Sequence, residues 1–205
     1  MLRQKLCDAL LEAFSSSDPT PGGGSASALA GAVGASLLAM VAGLPKTRHG
    51  RDEDRAGLDA ARGALLALQR ALAELMDRDS EAYDRVVAAF RLPKSTDAET
   101  AARSAAVQAA FRDATETPLA VMRACEETIR LADTVAERGN PSASSDVQVG
   151  IELAAAGLRG ARLNVEINLG SLKDAAFVEQ VKGEVDRLTR AAEAGAARAR
   201  ARVAG

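Results

Sequence analysis

Tryptophan is missing from this chain, and the other aromatics amount to one Tyr and four Phe. Its apolar content rests on Ala, Leu and Val, a mix that suits closely packed helices and argues against a β-sandwich. Cysteine is equally scarce: Cys7 and Cys125 offer neither a disulfide framework nor metal-type spacing, so a reduced, cytoplasmic protein is expected. With His49 as the single histidine, no zinc site is expected and no Ser-His-Asp grouping is placed by the sequence. Excess positive charge is also lacking, since the formal net charge of −2 excludes general attraction to nucleic acid. Arg198, Arg200 and Arg202 are explained by the favourable field at a helix C-terminus. The N-terminus, with Arg3, Lys5 and Asp8, has no signal-type apolar region. The uncharged stretch Ala26 to Leu44 approaches the length of a membrane span, yet Ala, Gly and Ser dominate it and no Trp or Tyr anchors its ends. A buried helix is expected there, with no membrane partner.

What is present is a balance of 47% apolar and 26% charged residues over 205 positions, without linker composition to divide them. One all-α domain over residues 1–205 is expected, a bundle of six or seven helices. Leu6, Leu10 and Phe14 predict a short helix from about Leu2 to Ser15. The Pro19-Thr20-Pro21-Gly22-Gly23-Gly24 loop ends it, with Ser25 as candidate cap of a second helix reaching about Gly43. Ser27, Gly31 and Ala35 form a small-residue stripe on that helix, suited to close packing within the bundle or across a dimer interface. Leu58, Leu65, Leu72 and Val86 then set a sevenfold seam in which Asp79 takes one position. Thr96 to Glu99 is a capping box, Pro118 kinks or restarts the helix behind it, and Gly139-Asn140-Pro141 stops the run. Ser144-Ser145-Asp146 supplies cap chemistry for a central helix to about Leu169, apolar on a face that includes Leu163 and Ile167 as well as on the Val147 face. Ser171 to Asp174 caps the last one.

Several residues have the chemistry of a site. Exposed amides of a glycine loop entering a helix suit anionic or carbonyl groups, although a packing turn needs the same glycines. Asp79 is a carboxylate on an apolar seam with Tyr83 one turn on; either burial shifts its proton affinity, or drift of the seam brings it to water. Asp146 at a helix start is a cap or an acid. Asn164 and Asn168 share a face, as an interhelical network or a ligand contact.

The motifs PTPGGGS (19–25), DSEAYDRV (79–86), LPKST (92–96), Gly139-Asn140-Pro141, SDVQV (145–149) and GARLNVEINL (160–169), with Arg103, Gln108 and Pro118 between them, are collinear across nearly the whole chain. In this order the chain resembles the cyclodeaminase domain of formiminotransferase-cyclodeaminase and the stand-alone methenyltetrahydrofolate cyclohydrolases of the same fold. The resemblance implies an all-helical homodimer that acts on a tetrahydrofolate derivative, polyglutamylated or not, with no metal or cofactor beyond that substrate. It also implies a carboxyl group for proton transfer, assigned to Asp146 with Asp79 as the second carboxylate. Pro21, Gly22, Gly23, Gly24, Ser25, Tyr83, Asn164 and Asn168 would then hold the folate, and Lys94 or Arg103 its glutamate tail. The family's Gly-Lys-rich segment after the small-residue helix is replaced here by Gly43 to Arg51, where Lys46, Arg48 or Arg51 stands in for the lysines. The sequence leaves cyclodeaminase and cyclohydrolase open, and the rival class is a non-catalytic folate-binding or helical interaction dimer.

Overall fold

Helix propensity and heptad spacing give six α-helices and one 3-10 turn across residues 7–204, the part of the chain described by this computed structural model. They are α1 (Cys7–Ser15), α2 (Gly23–Ala42), α3 (Asp52–Phe90), α4 (Asp97–Arg138), α5 (Ser144–Leu169) and α6 (Ala175–Ala204), with the turn at Pro141–Ala143. Positions 2 to 6 of the expected first helix lie outside the described residues. No strand occurs among the described residues, as the all-α expectation requires.

Helices α2 to α5 run alternately up and down around one core, and α6 covers α4 and α5. Leu58, Leu65 and Leu72 of the α3 seam are fully buried, with Ala61 and Leu75 in the same core. On α2, the Ser27, Gly31 and Ala35 stripe is resolved in favour of packing within the bundle. A Cβ on Gly34 would stand 2.7 Å from the Gly150 carbonyl of α5, and one on Gly157 would stand 2.7 Å from the Ser27 carbonyl, so the two backbones touch. This uses up the inner face of α2, the only helix among the described residues long and apolar enough to cross a membrane.

Thr96 and Glu99 form the expected capping box: the Glu99 amide donates to Thr96 Oγ1 at 3.2 Å and the Thr96 amide to Glu99 Oε2 at 3.0 Å. Helix α4 then continues through Pro118 without restarting. At α5 the cap expectation is corrected: no side chain caps this helix, and Asn140 Oδ1 instead accepts from the Ser142 amide in the preceding turn. Asp174 caps α6 through the Phe177 amide at 3.1 Å. The burial expected for Leu163 and Ile167 is also corrected, since they are 66% and 73% exposed: α5 packs on α2 and α4 through its other residues.

Helices of 39 and 42 residues exceed the bundle's height, so the end of α3 and the start of α4 project as an antiparallel pair. Ala82, Val86 and Ala114 form a second small core there, with Phe111 against it. One wall of a cleft is made by this projection.

Candidate active-site cleft

Where α2 begins, its first turn must leave amides without helical partners. Gly22 occupies the cap position and has no side chain to offer; the first helical bond runs from the Ala26 amide to the Gly22 carbonyl at 3.0 Å. Asp79 of α3 fills the gap, its Oδ2 accepting from the Ser25 amide at 2.8 Å and the Ser25 hydroxyl at 3.0 Å. Ser25 is therefore not the cap expected from sequence. It is fully buried, and its hydroxyl also lies 3.1 Å from the Met76 carbonyl. The carboxylate comes so close to the helix start that any Cβ on Gly24 would overlap it, which is what this glycine is for. Burial pushes the Asp79 carboxyl above the usual carboxylate range, and the two Ser25 hydrogen bonds hold it back only in part.

Asp79 borders a cleft of about 390 Å³ lined by the loop Thr20 and Gly22 to Gly24, by Tyr83, Val86 and Phe111, and by Asn164, Ile167 and Asn168. The Asn164 amide nitrogen donates to the Gly160 carbonyl at 3.0 Å, and that of Asn168 to the Ala114 carbonyl of α4 at 2.9 Å. Carbonyls only accept, so both amide orientations are fixed and the Oδ1 atoms are the ends left for a ligand. The lining thus mixes apolar and aromatic groups with a few fixed polar ones on both the α3 and the α5 walls, the composition of a small-molecule site. At the rim, Arg103 stacks on Phe90 at 5.4 Å, and Phe90 meets Phe111 edge to face at 6.0 Å. Lys94 is exposed in the loop between α3 and α4.

Of the residues singled out from sequence, the fold gathers Gly22, Gly23, Gly24, Asp79, Tyr83, Asn164 and Asn168 around one cleft. Pro21 faces away, into a separate cavity beside Glu12 and Asp77. Asp146, Lys46 and Arg48 are not brought to the cleft within one chain. Asp146 precedes Asn164 by 18 residues of continuous α5, about 27 Å at a helical rise, and so sits at the opposite pole. Arg48 caps carbonyls there, donating to Ala136 at 3.2 Å and Arg202 at 3.4 Å. His49 is not idle: its Nδ1 lies 3.1 Å from Asp54, a carboxylate only 1% exposed that Arg51 also holds. Phe111, Ala114, Val86 and Ile167 escaped the sequence reading because apolar residues at helical spacing look the same whether they line a core or a cleft. No cluster of metal-ligating side chains occurs among the described residues.

The family model for formiminotransferase-cyclodeaminase matches residues 6–187. A methenyltetrahydrofolate cyclohydrolase of Methylorubrum extorquens is 43% identical over 196 residues, covering 96% of this chain and 93% of that protein. The formimidoyltransferase-cyclodeaminase of Rattus norvegicus is 33% identical over 95% of the chain, which spans 37% of that longer protein. In fold, the crystal structure of a formiminotetrahydrofolate cyclodeaminase from Thermotoga maritima superposes with a TM-score of 0.89 at 23% identity, covering 100% of this chain and 98% of that one. The chain belongs to the formiminotransferase-cyclodeaminase family.

Proposed function

We propose that the protein is a methenyltetrahydrofolate cyclohydrolase working in the cytoplasm, with Asp79 as its proton-transfer group and no cofactor beyond the folate. The observation that carries this is a half-buried carboxylate, raised in proton affinity, on the wall of a cleft that Tyr83, Phe111, Asn164 and Asn168 also line. The extent and level of similarity to the Methylorubrum cyclohydrolase favour this activity over cyclodeamination. Water adds to the methenyl carbon that bridges N5 and N10 while Asp79 takes a proton from it. The resulting carbinolamine loses its hydroxyl proton, the bond from that carbon to N5 breaks with its electron pair, and N5 is protonated, giving the 10-formyl product. One proton is released overall. Gly23 and Gly24 amides lie beside this carbon, Tyr83 and Phe111 cover the ring, and Arg103 or Lys94 meets the glutamate tail.

Purified protein should accelerate the loss of methenyltetrahydrofolate absorbance, and Asp79→Asn should cost about 10²- to 10⁴-fold in kcat. Loss of no activity on that substitution would remove Asp79 from the mechanism. A protein that instead releases ammonia from formiminotetrahydrofolate would be a cyclodeaminase using the same carboxyl as an acid.

The protein also works as a homodimer in this reading. The outward face of α2 carries Ala26, Leu29, Ala30, Val33, Leu37 and Met40 without a charge, and Val33 and Met40 are each 43% exposed. An antiparallel two-fold pairing centred on Val33 sets the Lys46 pole of one copy beside the glycine loop of the other. The far-pole residues Lys46 and Asp146 gain access to a cleft in that way.

A further inference from the structure

Pro118 lies inside α4 and has no amide hydrogen, so the carbonyl four residues earlier, Ala114, is left without its helical donor. Ala114 is 7% exposed, and a buried carbonyl without a partner is costly. Asn168 of α5 satisfies it at 2.9 Å. Ala114 and Asn168 both line the cleft, which puts the carbonyl freed by the proline and the amide that meets it on the cleft wall. Because Ala114 can only accept, the amide nitrogen is committed to it and Oδ1 becomes a fixed acceptor. Among the described residues Oδ1 has no hydrogen-bond partner of its own.

We infer that Pro118 is a positioning residue: by freeing the Ala114 carbonyl it locks the Asn168 amide so that Oδ1 accepts an N–H of the pterin ring. The ligand's identity rests on the folate-enzyme reading; the lock itself does not. A reduced pterin presents ring N–H and amino donors along one edge, the complement of an acceptor held in place. Restoring an amide hydrogen at position 118 would let α4 close its own bond to Ala114 and release Asn168.

The test is a cycle of Pro118→Ala, Asn168→Ala and the double variant, with steady-state kinetics on methenyltetrahydrofolate. Pro118→Ala suits a helix interior, so the fold should persist. Asn168→Ala should raise KM about tenfold with kcat within about twofold, the worth of one hydrogen bond. Pro118→Ala should raise KM roughly three- to fivefold, and the double variant should match Asn168→Ala alone. Independent multiplication of the two effects, or an unchanged KM in Pro118→Ala, overturns the proposal. Should the wild-type protein turn over neither folate, the functional reading fails, and thermal unfolding of the same four proteins still decides the lock. Asn168→Ala should then lower Tm in the Pro118 background and by less than half as much beside Ala at 118, whereas equal losses overturn it.

Discussion

Asp79 is held by two donors from a single residue, and Ser25 can be changed without touching the cleft because its side chain is fully buried. Both bonds favour the ionised carboxylate while burial disfavours it, so the three influences separate by mutation. Ser25→Ala removes the hydroxyl donor and leaves the amide, and the Asp79 carboxyl should climb further. For a base the rate falls as pH drops through this pKa, so the acid limb of the kcat profile should move to higher pH, and an unmoved limb would sever Asp79 from it. The stability consequence follows from the same sign. A carboxyl whose pKa is raised on folding favours the native state below its unfolded pKa and loses that contribution as pH rises through the folded value. Asp79→Asn, which keeps an acceptor for the Ser25 amide, should therefore unfold no earlier than wild type at neutral pH even as turnover is lost. Cys125 takes no part: it is fully buried and its thiol is pushed up to about 12 by desolvation.

Between helices, α2 and α5 place glycines at their closest approaches, and this is where helix propensity and packing disagree. Ala is preferred to Gly inside a helix by about 1 kcal/mol. At Gly157, however, the new Cβ would stand 2.7 Å from the Ser27 carbonyl and 3.0 Å from the Gly31 amide, backbone atoms that cannot step aside singly. Overpacking costs about 1–3 kcal/mol and should win, so Gly157→Ala should lower Tm by roughly 2–8 °C. Gly183 of α6 has nothing within 4 Å of the same Cβ, and there propensity should win with a small rise. If both variants shift Tm upward, α2 and α5 are not in backbone contact. The ends of these helices were legible from sequence where a side chain does the capping, as at Thr96 and Glu99. They were not legible at α2, where the cap comes from Asp79, 54 residues away, nor at α5, where the chain enters from a 3-10 turn.

For the molecule as a whole, the two poles of the bundle divide the candidate residues. The cleft takes Asp79 and the asparagines; the far pole takes Lys46, Arg48 and Asp146. The proposed two-fold pairing of α2 would bring these poles together between copies, so Met40→Glu, placing a charge on the uncharged face, should give a monomer by light scattering. The monomer should keep its helical circular dichroism and lose most of its turnover. A fully active monomer would show that one chain's cleft suffices, and Asp146 would then have only its place in the first turn of α5 to explain it.

The sequence by itself determined the class of fold, the long seam of α3, the glycine loop and the family, because periodicity, capping and turn chemistry act over a few residues and collinear motifs report shared ancestry. It also named most of the polar residues that border the cleft. Only the tertiary structure decided which of two candidate carboxylates stands there, since Asp79 and Asp146 are equivalent as residue types and differ in position along helices that span the bundle. It alone joined Pro118 to Asn168 and turned Ser25 from a cap into a donor, for these are hydrogen bonds between helices, and neither propensity nor spacing along the chain encodes which donor meets which acceptor.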